Sequence, residues 1–400
     1  MTLELDQFFR NEFGSAPLHR VQAPGRIEIL GNHTDYNEGL VLSAAIDRAL
    51  HAVSSPRMDG RIAVSTLHGQ RREMFYLDRI ERNPVEPWAD YVKGMLLALQ
   101  RQGVRFTGFN MALGGNLPVG YGVSSSAALE MATALTVRKL FPFRITASGH
   151  VEACGREGRA NAGPQHLTRD EILHMARAGR EAENDFVGAR VGLMDQLTCM
   201  AGRSERLVSI DCRTESYVHV PWPADFAWVL CPSGTTHELV ASEYNSRRAA
   251  CESAAAKLGV RALREVTSTD LHKRHKSLNE TEYGCARHVV EEIERVVHGE
   301  RALQAGDIAQ FGQYLWQSHE SSRTNFRNSS PLQDLLVEIS RQAPGCLGGR
   351  LTGGGFGGST LHLVDRRHIG EFIQTMRREF ARQAQKLMEP MQALVSEGAS

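Results

Sequence analysis

The stretch Gly114–Leu129, GGNLPVGYGVSSSAAL, constrains this chain more than any other. Gly114, Gly115, Gly120 and Gly122 punctuate it, Ser124, Ser125 and Ser126 follow in a row, and Ala127–Leu135 reads as a helix. Glycine lets a backbone approach a ligand closely and take positive φ. Free N–H groups at a helix start face an anion along the helix dipole. Serine hydroxyls add hydrogen bonds and a possible metal ligand. No Gly-Lys-Ser/Thr follows, so this is not a Walker A loop. The third glycine of a dinucleotide fingerprint is missing. A predicted strand, Phe106–Leu113, precedes the loop, which is the order a phosphate cradle needs. From these residues two readings stay open: a phosphate cradle, or a glycine-rich connection with a serine N-cap.

Four hundred residues suggest two or three domains, or two large lobes. Lys plus Arg and Asp plus Glu both number 46, which argues against a nucleic-acid or membrane-surface partner. Seven scattered cysteines without a CxxC pair read as reduced thiols, so a cytoplasmic location is expected. The N-terminus is too acidic for a signal peptide, and no apolar run approaches the roughly 20 residues of a membrane span. No HExxH or tight His/Cys cluster points to zinc.

The order of elements suggests an α+β protein in two lobes, 1–205 and 206–400. Residues 3–14 read as an amphipathic helix. Apolar Ile27–Leu30 and Leu40–Ile46 read as strands around the polar run Gly31–Gly39, either a binding loop or a plain hairpin loop. Further strands are expected at 50–55, 61–66, 73–77, Leu207–Asp211 and Phe226–Cys231. Trp88–Gln100 reads as a helix, Cys154–His166 as an exposed insertion, and Thr168–Glu171 as a capping box opening a helix to about Asn184. Asp195, among Leu193, Met194 and Leu197, is expected to be partly buried. It then has partners or a function, or it N-caps a short helix. Helices follow at Ser242–Lys257, Ala286–His298, Leu303–Gln317 and Leu332–Arg341. A second glycine loop, Leu351–Gly358, leads into a strand and the helix His368–Phe380.

Three of these stretches together resemble one family, the galactokinases among the GHMP small-molecule kinases. Gly25–Asn37, GRIEILGNHTDYN, looks like the signature GRVNLIGEHTDYN. Leu117–Ala128 resembles the family phosphate loop, and Thr352–Gly358 resembles the third motif, usually TGAGFGG. Trp88 with Tyr91–Gly94, Gly192–Gln196 and Ser242–Arg248 agree in the same order. The resemblance implies a fold of two α+β lobes, the first like the second domain of ribosomal S5 and the second ferredoxin-like. It implies a sugar kinase that transfers the γ-phosphoryl of ATP to an anomeric hydroxyl with Mg²⁺.

The resemblance also assigns roles. Asp195 matches the catalytic carboxylate and Arg26 its partnering arginine. Asn32, His33, Asp35, Gly192 and Tyr244 match sugar-binding positions. Trp88 and Tyr91 match positions near adenine, and Gly120, Gly122, Ser124, Ser125, Ser126, Gly354 and Gly355 match the phosphate-binding loops. Ser125 and Glu183 match metal ligands; without the family pattern, Glu183 reads as a solvated helix-face carboxylate. The expected partner is a small-molecule sugar, with no nucleic acid and no membrane, and the chain is expected as a monomer or weak homo-oligomer. The chain departs from the pattern at Asn32, where the family has a Glu that contacts the sugar's 6-hydroxyl, and at bulky Tyr121 in the phosphate loop. Asn32 keeps open a sugar altered at C6, such as galacturonate, or a pentose. A non-catalytic sugar and ATP sensor is the third reading.

Overall fold

The structure is a computed structural model, which describes residues 2–118, 120–154, 167–234 and 240–400. Val119 and all of the expected insertion beyond Cys154 lie outside the described residues.

The strands in chain order are β1 (His19–Leu30), β2 (Leu40–Pro56), β3 (Arg61–Thr66), β4 (Arg72–Tyr76), β5 (Phe109–Gly115), β6 (Phe143–Ile145), β7 (Val151–Ala153), β8 (Arg206–Asp211), β9 (Ser216–Pro221), β10 (Phe226–Pro232), β11 (Cys346–Leu351), β12 (Ser359–Asp365) and β13 (Met391–Ala393). The helices are α1 (Thr2–Phe13), α2 (Asp90–Arg101), α3 (Ser125–Leu140), α4 (Arg169–Glu181), α5 (Met194–Ala201), α6 (Val240–Lys257), α7 (Ser268–Arg274), α8 (Glu280–Gln304), α9 (Ile308–Ser321), α10 (Pro331–Gln342) and α11 (Ile369–Ala384). This is an α+β fold.

One sheet runs β4-β3-β5-β2-β8-β9, with β1 paired along β2. A second runs β11-β12-β10-β13. Strand β2 merges the two strands expected at 40–46 and 50–55, because β1 spans both halves in antiparallel register, with a shift between Pro24 and Arg26. β8 and β9 lie beyond residue 205 yet extend the first sheet, β8 pairing with β2 and β9 with β8, so by sheet membership the chain changes sheet between Pro221 and Phe226.

The core explains the layers. Helices α2, α3 and α4 cover one face of the first sheet through Val92, Met95, Leu99, Met131, Leu135 and Met175. Successive residues of a strand face opposite sides. Trp228 and Leu230 of β10 therefore pack with Ile27, Ile29, Leu42 and Ile46 of the first sheet, while Val229 and Cys231 pack under α10 and α11. Apolar packing thus joins the two sheets beneath the strand end that carries residues 31–35.

Three helix boundaries move furthest: both ends of α8 and the start of α9, which falls at Ile308 rather than Leu303 because α8 runs on through Leu303 to Gln304. Helix α8 begins at Glu280, not Ala286, because Asn279 and Glu282 form a capping box. It continues past His298 because Gly299 does not break it. There a Cβ would come within 2.8 Å of Leu30 Cδ1, so glycine allows close helix–strand packing.

Candidate active site

The phosphate loop sits against β1. The Arg26 amide donates to the Val123 carbonyl at 3.0 Å, and a Cβ at Gly25 would strike Leu117 and the Val123 carbonyl. Ser124 precedes α3 in the left-handed region, with φ 57°. A serine there is strained, and such strain gathers at functional sites. Its hydroxyl does not cap the helix; it donates to Asp195 Oδ2.

Asp195 opens α5 and faces Arg26. Nε donates to Oδ1 and Nη2 to Oδ2, both at 2.8 Å, a two-pronged pair. Arg26 Nη1 donates to the Gly122 carbonyl at 2.6 Å, so the same guanidinium holds the phosphate loop. The Arg26 side chain is 6% exposed and that of Asp195 26%, so the carboxylate is the accessible partner. A Cβ at Gly353 would lie 3.3 Å from the Gly122 carbonyl and 4.0 Å from Arg26 Nη2. Arg26, Gly122, Ser124, Asp195 and Gly353 therefore meet in one place.

Asp35, Gly192 and Tyr244 border that place. A Cβ at Gly192 would overlap the Asp35 carboxylate, so only glycine fits. Burial, then the charges of Asp195 and Glu28, push the Asp35 carboxyl up to about 7. The Tyr244 ring lies 5.0 Å from His33 and within 3.3 Å of a Cβ built at Gly354. Burial, with Asp35 and Asp195 next, raises its phenol well above the usual range.

Asn32 and His33 lie one layer deeper. Asn32 Nδ2 donates to Glu28 Oε1 and to the Gly353 carbonyl, both at 2.8 Å, and Asn328 Nδ2 donates to Asn32 Oδ1 at 3.0 Å. His33 Nε2 lies 3.0 Å from the Gly354 carbonyl and Nδ1 2.8 Å from the Tyr36 hydroxyl. A carbonyl only accepts, so Nε2 carries the proton and Nδ1 accepts from Tyr36. Burial lowers His33 to about 3, so the ring is neutral. Neither side chain keeps a free donor. The expected direct sugar contacts of Asn32 and His33 are thus not what this geometry presents; both residues instead bind successive carbonyls of the third glycine loop.

Glu183, one of the two expected metal ligands, faces the start of α3. Burial, then Asp195, push the Glu183 carboxyl up to about 7, and the hydroxyl against it belongs to Ser126, not Ser125. Glu183 Oε1 is buried without a hydrogen-bond partner, so it is no solvated surface carboxylate. Among the described residues no group of three or more His, Cys, Asp or Glu could hold a metal ion. One carboxylate and one hydroxyl suit a hard divalent cation whose remaining ligands are phosphate oxygens and water.

Trp88 sits just before α2, packed against the first core cluster, and its Nε1 has no partner. Burial, with Glu183 next, pushes the Tyr91 phenol up to about 12. Gly120 and Gly355 take φ of 83° and 82°, and a Cβ at Gly355 would overlap the Asn328 carbonyl. Tyr121 packs on the cluster that joins the two sheets.

Sequence reasoning missed a buried layer behind these residues. Glu292 of α8 accepts from the amides of Gly31 and Asn32 at 3.0 and 3.3 Å and from Ser318 at 2.7 Å. Fully buried Arg350 donates to Glu28 Oε1 and to the Ile29 carbonyl, both at 3.0 Å. Glu130 accepts from Gln196 at 3.0 Å, next to Asp195 in the chain. None stands out in sequence, since a lone charged residue reads as solvated.

Family models match in three places: the galactokinase galactose-binding signature at residues 7–56, the GHMP kinase N-terminal domain at 90–203 and the GHMP kinase C-terminal domain at 300–382. The galactokinase of Chloroflexus aurantiacus is 36% identical over 397 residues, covering 98% of this chain and 95% of its own length. The chain belongs to the galactokinase family. A galactokinase of Roseiflexus sp. is 39% identical over 378 residues, covering 93% of this chain and 90% of its own. Among solved structures, Lactococcus lactis galactokinase complexed with galactose superposes with a TM-score of 0.89 over all of both chains, at 26% identity. Mevalonate kinase from Methanococcus jannaschii, at 16% identity and a TM-score of 0.61 over 95% of this chain and 98% of its own, shares the GHMP fold. Family membership makes this galactokinase relative a sugar kinase with ATP as a substrate.

Proposed function

We propose that this chain is an ATP-dependent galactose 1-kinase, transferring the γ-phosphoryl of ATP to the anomeric hydroxyl. The observation that carries the reading is Asp195, held on both oxygens by Arg26 at 2.8 Å beside Ser124 of the phosphate loop.

Phosphoryl transfer asks mainly for positioning and charge neutralisation. Asp195 orients the sugar hydroxyl and accepts its proton. Arg26 fixes the carboxylate and places positive charge beside the transferring group. Asp35, the backbone of Gly192 and Tyr244 bind the sugar ring. The N–H groups of Gly120–Ser126 and of Gly354 and Gly355 hold the triphosphate, with Trp88 and Tyr91 on the adenine side. Ser126 and Glu183 hold Mg²⁺, which neutralises phosphate charge when bound. Seven free cysteines fit a cytoplasmic protein, and we take it to act as a monomer or weak homo-oligomer.

Asn32 does not favour a C6-altered sugar, because its amide donors are spent within the protein. Purified protein with ATP and Mg²⁺, offered galactose, galacturonate, arabinose and N-acetylgalactosamine, tests the reading. The expected result is a wide preference for galactose in kcat/KM and a phosphate on the anomeric carbon by ³¹P NMR. Preference for another sugar, or binding without ADP release, defeats it.

A further inference from the structure

In the signature quoted above, positions 28 and 32 carry Asn and Glu; this chain carries Glu28 and Asn32. The two are bonded to each other, Asn32 Nδ2 to Glu28 Oε1 at 2.8 Å, and both are buried, at 3% and 1% exposed. A carboxylate–amide hydrogen bond survives reversal of its ends. What reversal moves is the charge. Here the charge falls on Glu28, which meets fully buried Arg350 at 3.0 Å. Every polar group of Asn32 is also used: its amide N–H by Glu292, its carbonyl by His288 Nε2 at 3.1 Å, its side-chain nitrogen by Glu28 and Gly353, and its side-chain oxygen by Asn328.

We propose that Glu28 and Asn32 are one carboxylate–amide unit whose members have exchanged places relative to the signature. Asn32 is then a positioning residue that locks the sugar loop onto the third glycine loop, and Glu28 supplies the charge that Arg350 requires. The inference rests on the galactose-kinase reading for its sugar readouts only.

Each single change is costly for a different reason. Asn32→Glu puts a second carboxylate against Glu28 in a dry site, where two like charges cannot both ionise cheaply. Glu28→Asn leaves Arg350 buried without its nearest counter-charge. The double change E28N/N32E keeps the total charge and restores one carboxylate and one amide.

The test is a double-mutant cycle on the full chain. Each single variant is expected to lower the thermal midpoint and to raise KM for galactose at least about tenfold, with KM for ATP moving less than about twofold. The double variant recovers most of both losses. Losses that simply add in the double overturn the proposal. If neither single variant folds, the double decides alone: a cooperative thermal transition supports the unit, and an unfolded double overturns it. Asn32→Ala separates positioning from contact. It should lower kcat/KM for galactose and for 6-deoxygalactose by the same factor, whereas a loss confined to galactose by more than about tenfold overturns the positioning role. Should the unaltered protein phosphorylate no galactose, the functional reading fails, and the thermal cycle still decides the pairing.

Discussion

Asp35 shows what a buried carboxyl costs and what it does. Its folded value of about 7 stands above the ordinary 3.8, so its contribution to stability is full below about 4 and is lost as pH rises through about 7. Ionisation removes the O–H donor and leaves Asp35 a pure, charged acceptor for sugar hydroxyls. At saturating nucleotide, kcat/KM for galactose should therefore climb with pH through about 7. Asp35→Asn should flatten that limb and lower kcat/KM at least about tenfold, while raising the thermal midpoint at pH 8 by about 1–3 °C. An unchanged limb in the variant rules this out. Asp195→Asn should keep nucleotide binding, read by calorimetry, and lose at least about a hundredfold in kcat. The meeting of Arg26 and Asp195, 169 residues apart, was legible because each lies in a recognisable motif. The depth of Asn32 and His33 was not, because it depends on Gly353 and Gly354, each 321 residues away.

Among elements, the glycine turns decide what can approach what. Gly192 lets the turn before α5 close on Asp35. Gly192→Ala should displace that carboxylate and raise KM for galactose at least about tenfold, with the midpoint lowered less than by a core truncation; parallel kinetics and thermal scans check both. Strands and amphipathic helices were readable from period and composition, as α11 illustrates with Phe372, Met376 and Phe380 on its buried face. The early start of α8 was missed because Glu280–Glu282 is polar and lacks an apolar stripe, and its capping box went unread. Which serine lies against Glu183 was also beyond sequence, since adjacent residues at a helix start differ only in the direction they point.

Across the whole molecule, residues 391–400 act as a strap. Ala393 pairs with Trp228 in the second sheet, the Ser396 amide donates to Ala45 in the first at 3.0 Å, and Ser400 and Gln22 exchange backbone bonds at 2.9 and 2.8 Å. Removing residues 394–400 should lower the thermal midpoint by several degrees and weaken sugar and nucleotide binding together; an unchanged midpoint would show the strap to be idle. The chain's passage from β9 to β10 between Pro221 and Phe226 was not legible, because pairing of β8 with β2 joins segments about 170 residues apart in sequence.

The bonds from Asn32 and His33 to the Gly353 and Gly354 carbonyls have a thermodynamic corollary. A nucleotide that shifts those carbonyls shifts the groups awaiting the sugar, so neither ligand arrives at a site indifferent to the other. Linkage then requires symmetry: whatever factor a non-hydrolysable ATP analogue applies to the galactose Kd, galactose must apply to the analogue's. Calorimetric titrations in both orders should return one shared factor different from unity, and a factor of one would mean that the stitched loops carry no message.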